Sequence, residues 1–434
     1  MLKSIFINEY EKKNIKIGNI LFLLGTVLLP SAFPFGAFLL LVSLIISIYE
    51  NRKNFLKDRW NYIIYLSILI ILLSTIKNGL IQIPSELENY NKILIWINLF
   101  NWIPLLFGYI GFQSYLKKSF QRILFTKFLI IGSLPVIVSC FLQYVFKIYG
   151  PFELFNGLII WFQRPLDQNL GVSGLFNNAN YLSIWLTIVI PFIFYFIKKR
   201  GYDYGKIALI ITCIIFCIFT ILTKSRNGFL ALVFTMLSFY SIKNIFFILS
   251  TFSLIGIFSN YFLTLKNINL NILNLVLSDR ITSKFLYFSP RYLIWESALE
   301  LIKTKPILGW GASTFAFLHK KNFSQSDYFV NAQHTHNIFI ELAFNFGIPL
   351  SLIVLIFLLF LFTKVITNYH KISNKNNNLH IKSWLISCLI ILFVHMSDIT
   401  LYDGKIGLII CILFSGLRCI LREQEYSSKI SINN

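Results

Sequence analysis

The fold class this sequence predicts is an all-α polytopic membrane protein, with about twelve transmembrane helices and a large helical outer loop. Three observations predict it. First, 56% of the residues are hydrophobic and only 13% are charged, about half the share typical of soluble globular chains. Second, the apolar residues arrive in long blocks, such as GIPLSLIVLIFLLFLF from Gly347 to Phe362. A block of roughly 18 or more apolar residues reads as a spanning helix, because only a helix satisfies every backbone group inside lipid. Third, the segments between blocks alternate between basic and base-poor, as they do when loops sit on opposite sides of a membrane.

Taken in order, spans are expected near 17–31, 34–49, 60–76, 92–112, 123–146, 180–197, 206–223, 228–241, 245–264, 344–363, 382–397 and 404–421. The first two form a tight pair broken by PSAFP. Placing EKKNIK, NRKNFLKDR, LKKSFQR, KKRGYDYGK, the 364–382 loop and the C-terminal tail on one side collects the lysines and arginines there. That side is the cytoplasm, so both termini are expected inside. The N-terminus is polar and basic, and the apolar block after it outruns a signal-peptide core, so no cleavable signal is expected. The chain then divides into a bundle of about nine spans (1–264), a large outer loop (265–335) and about three further spans (336–434).

The formal charge of +21 fits basic cytoplasmic loops and gives no reason to expect nucleic acid. The six cysteines, Cys140, Cys213, Cys217, Cys388, Cys411 and Cys419, fall in or beside apolar segments, where cysteine behaves as a small hydrophobe rather than a disulfide half or a metal ligand. In the outer loop, SPRYLIWESALELIKTKP carries Ser289 as an N-cap, Pro290 at the first helical position and Pro306 as a stop. Ile294, Ala298 and Ile302 recur at helical spacing while Glu296, Glu300 and Lys303 share another face. This is an amphipathic helix lying on the membrane or on the bundle.

Candidate chemistry clusters on the outer side. NAQHTHNIFIELAFNFG (331–347) places His334 and His336 at a polar-to-apolar border. On a helix, residues two apart point about 200° from one another. That is poor for a shared metal, and only His319 and Asp327 are at hand as loose third ligands. The histidines read either as interfacial polar residues, with Asn337 capping the next helix, or as a base matched to a sugar hydroxyl near neutral pH. Lys224 and Arg226 sit in a very short outer connection, as snorkelling side chains or as an anion site. Arg280 and Arg291 lie in the large loop, and Arg291 opens its helix, where a cation opposes the helix dipole. Asn180 in GLFNNANYLSIWL is a helix cap or a ligand. Asp398 and Asp403 near the last outer turn are sugar or water contacts, or ordinary solvated loop residues. No nucleotide loop, paired acidic metal site or Ser-His-Asp arrangement stands in the sequence.

In order along the chain, the sequence resembles the O-antigen ligase and polymerase superfamily of bacterial envelope enzymes. The residues that carry the resemblance are FNNAN before a span, Ser225-Arg226, the helix from Arg291 to Trp295, Pro306–Gly311, and His336-Asn337 followed by nine residues and Gly347. Leu350 stands where the family pattern usually has Gly, Thr or Tyr. The resemblance covers roughly 170–350. It implies a C-type glycosyltransferase architecture in the bacterial inner membrane, with a periplasmic active face and neither metal nor cofactor. The implied donor is a glycan on undecaprenyl diphosphate and the implied acceptor the sugar core of lipid A or another glycan. Carried over, Arg226 and Arg291 would hold the diphosphate, with Lys224, Arg280, His334 and Asn180 as further substrate contacts, and His336 would act as base. A polymerase, or a transporter like the family's bicarbonate-transporter relatives, are the alternatives. A transporter should carry ionisable residues near the midplane, and the expected spans hold few beyond Lys127.

Overall fold

The computed structural model describes residues 13–81, 85–87, 90–166, 171–240, 291–322, 332–369 and 375–433. Arg280, Ser289, Pro290, Asp327 and the span expected at 245–264 lie outside the described residues. Among the described residues the regular structure is helical, apart from one short hairpin. In chain order the helices are α1 (Lys13–Leu28), α2 (Phe33–Lys57), α3 (Arg59–Ile76), α4 (Ile93–Tyr115, with 3-10 turns at Asn98–Asn101 and Phe112–Tyr115) and α5 (Ser119–Val145). Strands β1 (Phe152–Leu154) and β2 (Ile159–Trp161) follow, then α6 (Ala179–Lys199), α7 (Tyr204–Leu222) and α8 (Arg226–Phe239). The later elements are α9 (Arg291–Thr304), α10 (Phe315–Asn322), α11 (Ile338–Phe346), α12 (Ile348–Tyr369), α13 (Lys375–His395) and α14 (Gly404–Asn433).

Among the described residues, nine helices are long and apolar enough to cross a membrane, and each matches an expected span. Two further expected spans are shorter than a bilayer in the described structure. The 16 residues of α1 and 14 of α8 rise about 24 and 21 Å at 1.5 Å each, against a hydrocarbon core of roughly 30 Å. The tenth expected span begins later than 344, because the chain breaks at Gly347 into α11 and α12.

The bundle is built around α6, in which every residue from Leu182 to Tyr195 is buried. That explains why its sequence is apolar all round rather than striped. It packs against α7, α8 and α13. By contrast α7 fully buries only Cys213, Phe216, Phe219 and Thr220, and turns Ile207, Ile210, Ile211, Ile214 and Ile218 outward. All six cysteines are free.

Polar groups collect at the two ends. At one end Arg418 reaches both carboxylate oxygens of Asp58 at 3.2 Å, and Arg122 pairs with Glu423. The other end gathers the turn after α1, the hairpin, the α7–α8 turn, the segment from α9 to α11 and the α13–α14 turn. Trp161 Nε1 donates to the Ser31 carbonyl, Val172 N–H to Leu222, and Lys405 Nζ to Leu175. These are the segments expected to be outer, and they meet.

Helix α9 lies on this end with Ile294, Ala298, Leu301 and Ile302 buried, as the helical spacing predicts. Of its two possible beds, the bundle is the observed one: α9 packs on α11. After it, Gly309 and Gly311 adopt left-handed backbone, and Trp310 and Gly311 N–H groups bond the Phe344 and Asn345 carbonyls.

Candidate functional site

The site grows from the length of α11. Asn337 caps its start, accepting from Phe339 and Ile340 N–H at 3.0 and 3.2 Å. Gly347 ends it at φ +97°, where a Cβ would lie 2.0 Å from the Ile307 carbonyl oxygen. The nine residues between Asn337 and Gly347 are the nine of α11. The spacing is therefore a structural ruler: a cap, two and a half turns, and a residue that must lack a side chain. The Asn337 amide also donates to the Met396 carbonyl at 3.0 Å, tying this helix to the α13–α14 turn.

That tie brings His336 to Asp398. His336 has φ +55°, a left-handed conformation rare outside glycine and a form of stored strain at functional positions. Its Nδ1 lies 3.1 Å from Asp398 Oδ1. Asn180 Nδ2 donates to Asp398 Oδ2 at 3.1 Å, and Arg291 Nη2 stands 3.9 Å from the same oxygen. The Ile399 N–H supplies a further bond at 3.0 Å. Asp398 is thus the hub, only 5% exposed. The reading of Asp398 as a solvated loop residue is corrected: a buried carboxylate needs partners, and it has four. Burial alone would raise its carboxyl pKa, but the His336 hydrogen bond and the Arg291 charge outweigh burial and hold it below the usual range.

The remaining expected residues fall as follows. Asn180 is not the cap of α6, since Asn178 does that work, accepting from Asn180 N–H at 2.8 Å. The Asn180 side chain is thereby available for Asp398. Arg226 opens α8 behind the Ser225 cap, close enough to Arg291 that the two repel. Burial lowers the Arg291 pKa, and Arg226 lowers it further while Asp398 opposes. Among the described residues neither arginine donates a hydrogen bond. Lys224, at φ +55°, is two residues before Arg226 in that turn, and Arg280 lies outside the described residues.

His334 is not turned away from His336. The segment is not helical, and the two rings lie 4.2 Å apart. The His336 N–H donates to His334 Nδ1 at 3.2 Å. Burial, then the neighbouring His336, pushes the His334 pKa down to about 4, so this imidazole is neutral at physiological pH. The third metal-ligating group missing from the sequence reading is Asp398, because ligand atoms of His334, His336 and Asp398 lie within 4.8 Å of one another. Two guanidinium groups at the same place oppose a divalent cation and favour an anion. His319 sits elsewhere, its Nδ1 2.8 Å from Ser297 Oγ and its ring stacked on Phe315.

Behind the cluster lies a residue passed over in the sequence. Glu341, 2% exposed, accepts from Thr335 N–H at 2.9 Å, Tyr402 Oη at 2.6 Å and Asn345 Nδ2 at 3.1 Å. It clamps the residue between the two histidines. A lone acid in the apolar run IFIELAF is the available signal, since such a group persists only when bonded. Trp295 Nε1 clamps the same residue from α9, donating to the Thr335 carbonyl at 2.9 Å.

An apolar cavity of about 190 Å³ adjoins the cluster, reaching Phe339 and Leu342 of α11, Leu350 and Phe357 of α12, Trp102 of α4 and His395 of α13. The arrangement as a whole can bind an anion at two neighbouring guanidinium groups, move a proton at one imidazole, and shelter an apolar chain beneath them.

A family model described as O-antigen ligase matches residues 211–355. That stretch contains Arg226, Arg291, His334, His336 and Gly347, while Asn180 and Asp398 lie outside it. No curated protein matches the chain.

Proposed function

From the premise that this chain belongs to the O-antigen ligase superfamily, and so is a membrane enzyme that transfers glycans, we propose that it moves a glycan from undecaprenyl diphosphate to a sugar hydroxyl of the lipid A core. The reaction faces the periplasm, from a multi-pass protein of the bacterial inner membrane with both termini in the cytoplasm. Arg226 and Arg291 hold the diphosphate, and His336 is the base.

One observation carries this reading: His336, Arg291 and Asn180, from three separate segments, converge on the buried carboxylate of Asp398. With Nδ1–H donated to Asp398, the His336 lone pair is on Nε2, and the carboxylate stabilises the imidazolium once it forms. The acceptor hydroxyl gives its proton to Nε2 as its oxygen attacks the anomeric carbon. The bond from that carbon to the phosphate oxygen breaks, and its electron pair stays on the diphosphate. Guanidinium groups fixed in a partly buried site stabilise that growing charge most in the transition state. The adjoining apolar cavity between α3, α4 and α11–α14 suits part of the polyprenyl chain. Neutral His334 contributes no competing positive charge and fixes the His336 backbone.

The test is deletion of the gene, with lipopolysaccharide resolved on gels after complementation by wild type, H336A, R226A and R291A. Wild type should restore polymer-bearing lipid A and all three variants should fail. A core carrying a single repeat unit in the deletion indicates a polymerase instead. An unchanged ladder in the deletion contradicts both, and full rescue by H336A removes the base assignment.

A further inference from the structure

A second cavity, of about 260 Å³, lies at the same end of the bundle and is unlike the first. Its wall is made by the turn after α1, the β1–β2 hairpin, the segment before α6 and the start of α14. Trp161 lines it, its ring fixed by the bond from Nε1 to the Ser31 carbonyl. Asn177 lines it too, and its Oδ1 is buried and accepts no hydrogen bond. Asp403 and Lys405 complete the polar lining. Asp403 Oδ1 caps α14 through the Lys405 and Ile406 N–H groups at 3.0 and 3.1 Å. Lys405 Nζ donates to Leu175 at 2.7 Å and lies 4.7 Å from the Phe176 ring centre.

The cavity joins the cluster described above through one short turn. Asn177 faces the cavity, Asn178 caps α6, and Asn180 bonds Asp398. Three residues of chain reach at most about 10 Å, so the cavity and the Asp398 hub stand side by side. Their charges differ. The hub carries two arginines, whereas the cavity pairs one carboxylate with one ammonium, so it offers an anion no net attraction.

We infer that this cavity is a subsite for one uncharged sugar ring of the transferred or accepting glycan. An indole face matches the C–H face of such a ring, the Asp403 carboxylate accepts from its hydroxyls, Lys405 donates, and the Asn177 side chain packs against the ring. The volume, just below that of ligand pockets of roughly 300–1,000 Å³, suits a single ring. The inference rests on the reading of the chain as a glycan transferase, and it names where that enzyme grips sugar rather than phosphate.

Binding measured apart from turnover tests it. The purified full chain in detergent is titrated calorimetrically with two probes: core oligosaccharide released from the host's lipid A, and repeat-unit oligosaccharide released from its polyprenyl diphosphate. Wild type should bind one of them, and N177A and W161F should weaken that binding at least tenfold with thermal midpoints unchanged. Weakening for the core alone assigns the ring to the acceptor, and for the repeat unit alone to the donor. No binding of either probe by wild type, or equal affinity in wild type and both folded variants, overturns the subsite. Whether wild type transfers glycan in a parallel assay is read separately, so loss of the transferase reading is distinguishable from loss of the subsite.

Discussion

Each end of this bundle sets an arginine beside a carboxylate, and the two pairs differ. At the end expected to face the cytoplasm, Arg418 is 4% exposed, contacts both oxygens of Asp58 at 3.2 Å and lies 4.7 Å from the Trp60 ring centre. Asp58 itself caps α3 through the Trp60 N–H. At the other end Arg291 stands 3.9 Å from a carboxylate already engaged by Asn180, His336 and Ile399, with Arg226 repelling it. Arg418 Nη2 thus holds a carboxylate at both oxygens, although Arg418 Nε and Nη1 make no hydrogen bond, whereas the carboxylate beside Arg291 is already engaged by other groups. A cation held without close partners is what an anion site requires before its anion arrives. The lesson is that an arginine points to function when the carboxylate beside it already serves other groups.

Substitutions should separate the two ends, beginning with the largest effect. Replacing His336 by Ala should cut the transfer rate about 10²–10⁴-fold, and R291A about 10²–10³-fold, with only a small fall in the thermal midpoint of each purified variant, because Asp398 keeps its bonds from Asn180 and Ile399. Rates from donor and acceptor in detergent, beside thermal unfolding of the same samples, check this. R418A should do the reverse. Leaving Asp58 buried without its partner costs about 3–5 kcal/mol of stability, read as a lowered midpoint, while the rate per folded molecule stays near wild type. Similar damage from R291A and R418A in both assays would erase the distinction.

A smaller effect tests the ruler between the histidines and α12. G347A forces a side chain into left-handed backbone and against the Ile307 carbonyl, at about 1–3 kcal/mol. It should lower both midpoint and rate, because α11 carries the histidine turn at its start.

The smallest effect is on pH. The His334 pKa is about 4 in the folded chain against 6.5 when unfolded, so the unfolded state binds the proton more readily. Its contribution to stability is fully present above pH 6.5 and declines as pH falls toward 4. The midpoint should drop over that window in wild type and drop less in H334F.

Much of the architecture was legible in the sequence because block length and spacing carry it. Among the described residues nine apolar blocks became helices long and apolar enough to cross a membrane, and Ile294, Ala298 and Ile302 gave the buried face of α9 directly. The site was legible in its parts but not in its centre. His336, Arg291 and Asn180 each stood out locally, yet Asp398 joins them across 62 residues to His336 and 218 to Asn180. No periodicity encodes such contacts. Asn178 and Asn180 show the same limit at short range. Either could cap α6 by composition, and only the folded backbone decides which amide is left to reach the hub. The relation of His334 to His336 likewise turned on whether the segment was helical, which a left-handed residue settles and residue spacing does not.

The central claim is that the Asp398 cluster is where a sugar hydroxyl loses its proton beside a bound diphosphate. The most direct measurement is single-turnover transfer from undecaprenyl-diphosphate-linked glycan to lipid A core by purified wild type, H336A, R291A and D398N, each matched for thermal midpoint. The account predicts product from wild type, losses of at least about a hundredfold in H336A and R291A, and an intermediate loss in D398N, which keeps a hydrogen-bond partner but not the charge. Wild-type rates in H336A and R291A, from proteins that remain folded, would contradict it.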